Sequence, residues 1–201
     1  MGNERIRAKT ALNDRVRLAA AFAFALLSLV LAVTLAVTLD DFVRVSNRVQ
    51  SLATIDRIDR LQRDLLQQTA SEELAADAYV RGAPTAMGLY NHGRERGLDD
   101  SIGLRLAVLQ APALAQSVDA FLTRRSLVES VLAGQVHLVQ AGRRREAQAL
   151  FPEARLMEDA FRRSQAVLTD RIDSIVSEVH EEISSLLATG RALSTITAIA
   201  N

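Results

Sequence analysis

The sequence predicts an all-α protein in which an N-terminal transmembrane helix continues into an up-and-down four-helix bundle. Three observations favour this class. Residues 18–39 carry no charge, no Gly and no Pro, and a helix of that length spans about 33 Å, enough for a hydrocarbon core of about 30 Å. No Gly or Pro lies between Gly2 and Gly82, so the helix is expected to continue past the apolar run. Alternating β-branched runs and hairpin turn dipeptides, the usual signals of strands, are absent.

The apolar run at 18–39 is interpreted as an uncleaved membrane anchor. The apolar core of a signal peptide is usually about 7–15 residues long and ends at a small-residue cleavage site. No clear site of that kind precedes Asp40. A cleaved export signal and a buried helix of a soluble core are the two alternatives.

Charges on either side of the anchor predict its orientation. Residues 1–17 contain five basic and two acidic residues, whereas Asp40 and Asp41 follow the anchor directly. Because positively charged flanks stay in the cytoplasm, residues 1–17 are expected inside. The predicted location is the inner (cytoplasmic) membrane of a bacterium, crossed once, with residues 40–190 forming a periplasmic or extracellular domain.

The first helix beyond the anchor carries an apolar stripe at the 3–4 spacing of one helical face. The helix is expected to end near Arg81, where Gly82 supplies the stop and Pro84 prevents continuation. Several successive apolar residues are three positions apart, which rotates the stripe gradually around the helix. The stripe is therefore expected to pack against one helix of its own bundle and against another in a partner subunit. A homodimer through the long helices is therefore expected. The stripe consists of Val45, Val49, Leu52, Ile55, Ile58, Leu61 and Leu65.

Helix-breaking Gly and Pro residues and N-cap residues predict where the remaining helices begin and end. Four glycines between Pro84 and Gln110 predict a short helix to about His92, a loosened segment and a restart near Asp99. A third helix is expected from Pro112 to about Ala141, a short one over 143–150, and a last long one from Pro152. Residues 191–201 form a tail too short to span a membrane, which leaves open a truncation before a second span or a one-span protein.

The sequence contains few residues or motifs that are typical of catalytic or metal-binding sites. The chain has no cysteine and only three histidines, none of which completes the Glu-x-x-His motif of di-iron bundles. It has no H-E-x-x-H, Gly-rich phosphate loop or G-x-S-x-G motif. We therefore expect no enzyme activity, metal or cofactor. Equal totals of 24 basic and 24 acidic residues, without a basic face, indicate no nucleic-acid partner.

The turn after the first helix is the candidate ligand site. It brings Tyr79, Arg81 and Tyr90 near one inter-helix connection, where two phenols and a guanidinium would contact a small molecule or a protein signal. The alternative is that these side chains only pack the end of the bundle.

Four segments resemble a known family. Residues 79–82, Leu89-Tyr90, 139–147 and 157–162 are similar to segments of the third class of CHASE domains, and more loosely to four-helix-bundle chemoreceptor sensors. The resemblance covers about residues 20–190. The resemblance implies that the chain is the extracytoplasmic sensor region of a bacterial signal-transduction receptor. Such a region passes its signal to a histidine kinase, a diguanylate cyclase or a chemoreceptor output module. The alternative function is a one-span envelope scaffold that binds another protein and no ligand.

Overall fold

The computed structural model describes the backbone of residues 2–199 and the side chains of residues 21, 22 and 24–188. About 93 % of the chain is helical, and no strand occurs in this part of it, so the predicted all-α class is confirmed. A 3-10 turn over Pro112–Leu114 precedes α3. The helices are α1 (Gly2–Arg81), α2 (Ala86–Val108), α3 (Ala115–Gln140), α4 (Arg144–Ala149) and α5 (Phe151–Ile199).

The chain divides into two compact units. One is Arg48–Ile183, the bundle, and the other contains the parts of α1 and α5 that precede and follow these residues in the sequence. The predicted basic segment 1–17 and the tail 191–201 lie outside the residues whose side chains are described.

The second unit contains the predicted anchor. Within the described residues, α1 alone is long and apolar enough to cross a membrane: an 18-residue window reaches a mean hydropathy of 2.0, and none of it is buried. The hydroxyls of Thr34 and Thr38 donate to backbone carbonyl oxygens four residues earlier, each at 2.8 Å. The apolar segment therefore leaves neither of these hydroxyls without a partner.

Side-chain contacts establish the order of the bundle helices. Arg48 pairs with Glu182, and Gln62 donates to Thr169, so α1 and α5 run antiparallel. Gln68 on α1 donates to Asp100 on α2. The rings of Phe121 on α3 and Phe161 on α5 lie 4.8 Å apart between centroids, a tilted aromatic contact that closes the four-helix core.

The α1 stripe is largely used inside the bundle. Ile55, Ile58 and Leu65 are buried, Leu52 and Leu61 are half-buried, and Val49 is exposed. Leu168, Ile172 and Val179 of α5 are buried as well. The apolar faces of both long helices thus build this chain's own core, and the dimer predicted from the α1 stripe stays a prediction.

Glycine terminates two helices in the predicted way. Gly82 and Gly142 have φ of +113° and +77°, the left-handed region in which a Cβ is strained. After Gly82 the Ala83 amide donates to the carbonyl of Ala78, and after Gly142 the Arg143 amide donates to that of Leu138. Both are Schellman motifs, and the predicted ends of α1 and α3 are confirmed.

The predicted break in the second helix is wrong. Helix α2 continues from Ala86 to Val108 through all four of its glycines. A glycine costs up to about 1 kcal/mol in a helix, but packing outweighs this cost where the helix lies against its neighbours. A Cβ at Gly93 or Gly97 would lie within 3 Å of side chains on α1 and α3, so these two glycines permit close helix contact.

Candidate functional site

Arg81, one of the three predicted site residues, ends α1 at the edge of a cavity. Its guanidinium forms two contacts with the Asp77 carboxylate, from Nε at 3.1 Å and from Nη2 at 3.0 Å. The same guanidinium lies 5.9 Å from the ring centroid of Phe151 at the start of α5, within cation–π range. Arg81 therefore connects the ends of two helices while remaining exposed.

The two predicted tyrosines lie elsewhere. Tyr90 of α2 is a core residue, 3 % exposed, and burial raises the pKa of its phenol. Tyr79 is half-buried and packs against the same core. No contact described in the structure joins either phenol to Arg81, and neither tyrosine lines the Arg81 cavity. The prediction that the three form one ligand site stays untested.

The cavity at Arg81 has a volume of about 340 Å³ and lies between α1, α3 and α5, within the bundle unit. We call it the α1–α5 cavity. Five apolar residues and Gln135 line it together with six charged side chains, and the apolar residues are Ala70, Leu74, Leu132, Phe151 and Ala154. Such a mixture of an apolar wall with a few polar groups is typical of small-molecule sites. The charged residues of its lining are Glu73, Asp77, Arg81, Arg155, Glu158 and Arg162.

Two carboxyl groups interact on the wall of this cavity. Burial, followed by a hydrogen bond and charge repulsion from Glu158, raises the pKa of Glu73 to about 7. Glu158 also pairs with Arg162, one turn along α5. Since two adjacent carboxylates repel each other, Glu73 keeps its proton to a higher pH than a free carboxyl group does. Glu73 therefore changes charge near neutral pH.

Gln135 on α3 is an orphaned polar group in the same cavity. Its side chain is 1 % exposed, and its Nε2 has no hydrogen-bond partner among the residues that the structure describes. A buried donor without a partner costs about 1–3 kcal/mol. Arg155 lines the same cavity and forms no ion pair with any residue that the structure describes. The α1–α5 cavity thus offers two donors for which the described residues supply no acceptor.

A second polar group lies inside the bundle, and we call it the Arg125 cluster. Arg125 of α3 is 3 % exposed and its Nη2 contacts Glu72 at 3.2 Å and Glu129 at 2.7 Å. Its Nη1 donates to the Ser101 hydroxyl at 2.7 Å, and its Nε donates to Thr69 at 3.3 Å. One buried guanidinium therefore ties α1, α2 and α3 together.

Burial raises the pKa of Glu72 to about 7, against the opposing attraction of Arg125. Glu72 is 1 % exposed. A buried ion pair adds little net stability, but removing one partner leaves an uncompensated charge and costs about 3–5 kcal/mol. The Arg125 cluster is therefore a structural element sensitive to substitution.

Gly97 supplies the space that Arg125 occupies. A Cβ built on Gly97 would lie 1.9 Å from Arg125 Nη2, and one on Gly93 would lie 2.7 Å from Glu72 Cγ. Gly93 and Gly97 are one helical turn apart on α2, so they form one flat patch facing the cluster. This pairing of small residues with a buried ion pair explains why two glycines occur inside α2.

Sequence reasoning missed the α1–α5 cavity except for Arg81, and missed the Arg125 cluster entirely. The available signal was positional: Arg125 and Gln135 occupy core-face positions of α3, among Phe121, Val128 and Leu132. A polar residue in an apolar stripe is informative because a buried charge must be paired. The larger groove between α1 and α2, about 690 Å³, is bordered by exposed Leu74 and Leu89 and is mainly apolar.

The described residues contain no group of three or more His, Asp or Glu side chains suited to a metal ion. The chemistry that the arrangement supports is recognition by charge and hydrogen bonds. A scan of protein-family models and searches of curated proteins and of solved structures gave no match to this chain.

Proposed function

We propose that this chain is the membrane-anchored sensor region of a bacterial signal-transduction receptor, with the α1–α5 cavity as its ligand site. The observation that carries the proposal is that a single helix, α1, contributes both the exposed apolar segment and one wall of a cavity lined by charged groups. Occupancy of the cavity would then act directly on the helix that enters the membrane. Small shifts of packed helices are a common basis of signalling.

The proposed arrangement places residues 1–17 in the cytoplasm, residues 18–39 in the inner membrane and the bundle in the periplasm. Its support is the basic N-terminus, the uncharged run and the acidic residues that follow it. The lipid bilayer is thus one partner. The output would be a histidine kinase, diguanylate cyclase or chemoreceptor module, as the resemblance to third-class CHASE domains implies.

The orphaned donor in the cavity favours ligand binding over packing alone. Gln135 presents a buried N–H group for which the described residues supply no acceptor, and the exposed Arg155 forms no ion pair with them. Asp77 and Glu158 are neutralised by Arg81 and Arg162. A ligand that carries an acceptor group beside a small apolar body would satisfy the donors and contact the apolar wall. Proteins commonly retain such unfavourable groups where binding compensates for them.

A thermal-shift screen of the full chain in detergent micelles tests this proposal, with small carboxylic acids, amides and amines as probes. A compound that binds in the cavity raises the Tm of the wild type, since binding to the native state alone stabilises it. Gln135→Leu and Arg155→Ala are expected to remove most of that increase. Arg96→Ala, on the α1–α2 groove, is the matched control and retains it.

Two outcomes contradict the proposal. The first is that no probe in the three classes raises the Tm. The second is an increase that survives both cavity substitutions, which would place the binding site elsewhere.

A further inference from the structure

Helix α2 carries an apolar face that its own bundle does not use. Its buried residues include Tyr90, Gly97, Leu104 and Ala107. At 100° per residue the exposed apolar residues centre about 155° from that buried face. We call this face the α2 stripe. It consists of Leu98, Ile102 and Leu106 of α2 together with Leu109, the residue directly after the helix, and these four are 49–76 % exposed.

Charges of opposite sign border the two edges of the α2 stripe. Arg94 and Arg105 lie on one edge and Asp99 lies on the other, whereas Glu95 lies about 25° from the centre of the stripe, one turn before Leu98. None of the four forms an ion pair with a residue that the structure describes, although nine ion pairs occur elsewhere in that part of the chain. Glu95 and Asp99 are like charges one turn apart, which is unfavourable within an isolated helix.

The charges on the two edges are complementary between two copies of α2 only when the helices are parallel. When two copies face each other with their α2 helices parallel, a two-fold axis along the helices brings each acidic edge against the partner's basic edge. When the helices are antiparallel, acidic meets acidic and basic meets basic. In the parallel pair Arg94 faces Asp99 of the second copy five residues along, the spacing at which flanking charges pair in parallel coiled coils.

We propose that the α2 stripe is a self-association surface, on which a second copy of this chain packs with its α2 helix parallel. Leu98, Ile102 and Leu109 meet their own counterparts across the two-fold axis, and Arg94 pairs with Asp99 on both sides. The interface is isologous, as in most symmetric dimers. The long helices that suggested a dimer from sequence place their apolar stripes in the bundle core, whereas the α2 stripe is exposed.

The α2 stripe is short, about three helical turns, so the contact is expected to be weak between free molecules. Two copies anchored in one membrane meet at a raised effective concentration, which allows a weak contact to be populated. The proposal does not depend on the cavity binding a ligand, and its test uses no ligand.

Disulfide trapping tests the surface, because the natural chain has no cysteine. Single variants Leu98→Cys and Leu109→Cys are prepared in the full chain, reconstituted in liposomes and oxidised with copper phenanthroline. In a parallel pair each position forms a homodimer with itself. The control is Leu89→Cys, a leucine of the same helix that is 69 % exposed and lies about 145° away from the stripe at 100° per residue. We expect cross-linking at 98 and 109 to be about tenfold faster than at 89, a ratio worth ~1.4 kcal/mol.

Charge exchange tests the orientation. In the Leu98→Cys background, Arg94→Glu and Asp99→Arg each place like charges across the pair and lower the cross-linking rate several-fold. The double variant restores opposite charges and the rate. Both positions are exposed, so the fold is retained, and circular dichroism checks this directly.

Three results overturn the proposal. Equal cross-linking at 89 and 98 would show random collision. Preferential Leu98–Leu106 trapping in mixed variants would show an antiparallel pair. Absence of a cross-linked dimer at both 98 and 109 in liposomes would exclude a second copy of this chain as the occupant of the stripe.

Discussion

Gly97→Ala tests whether the Arg125 cluster sets the packing of α2 against the rest of the bundle. The added Cβ would lie 1.9 Å from Arg125 Nη2 and 2.9 Å from its Cζ. An exposed guanidinium would simply move away. Arg125, however, is 3 % exposed and held by Glu72, Glu129 and Ser101, so any shift breaks charged hydrogen bonds in a buried site.

The expected loss follows from three contributions. Replacing a helical glycine by alanine gains up to about 1 kcal/mol of helix propensity. Overpacking costs about 1–3 kcal/mol, and each charged hydrogen bond lost costs about 1.5–3 kcal/mol. We therefore expect Gly97→Ala to lower stability by about 2 kcal/mol even after the helical gain. Gly88 has nothing within 4 Å of its Cβ position, so Gly88→Ala in the same helix keeps the gain and is the matched control.

The assay is thermal unfolding of the full chain in detergent micelles, followed by circular dichroism. A difference of about 3 kcal/mol between the two variants corresponds to about 6–12 °C in Tm for a chain of this size. If Gly97→Ala melts at the temperature of Gly88→Ala, Arg125 relocates freely and the cluster does not determine helix packing.

Three further predictions concern the buried polar groups. The native pKa of Glu73, about 7, lies above its ordinary value of 4.5, so the stability that protonated Glu73 contributes is complete below pH 4.5 and is lost as the pH rises through 7. Urea unfolding across this range should show a weaker decline in stability for Glu73→Gln. An unchanged decline would exclude the Glu73–Glu158 pair as a contributor. Arg125→Met should cost about 3–5 kcal/mol by leaving Glu72 unpaired, and adding Glu72→Gln should recover most of that loss in the same unfolding assay; no recovery would mean that the two do not act as a pair. Gln135→Leu should raise stability by about 1 kcal/mol, because it removes a buried donor without a partner, and a lower Tm would show that this donor is satisfied.

Helix ends were predictable because they depend on local chemistry. Gly82 and Gly142 adopt positive φ where the chain leaves a helix, and that preference is a property of glycine itself. The break predicted near Gly93 and Gly97 was wrong for a non-local reason. Their cost in the helix is outweighed by close contact with α1 and α3, and neither neighbour can be read from the local sequence of α2.

The candidate site was less predictable, because the position of a buried polar residue in the sequence does not show which residue it pairs with. On α1 the residues Ile55, Ile58, Gln62, Leu65, Thr69 and Glu72 follow alternating steps of three and four and are all buried. The spacing identifies the buried face, but it does not show that Arg125, more than 50 residues later, pairs with Glu72. Arg81 was recognised from its place beside the turn, whereas Glu158 and Gln135 reach the same cavity only through tertiary packing.

In the proposed topology, residues 18–39 anchor the chain in the inner membrane with the bundle outside. Labelling of single cysteines by a membrane-impermeant maleimide in intact bacterial cells tests it most directly. Leu156, exposed on α5, and Lys9, ahead of the anchor, are the two positions to replace. This topology predicts that Leu156→Cys is labelled in intact cells, and that Lys9→Cys is labelled only after permeabilisation, with both proteins in the membrane fraction. A chain found in the soluble fraction, or Lys9→Cys labelled in intact cells while Leu156→Cys is protected, would contradict it.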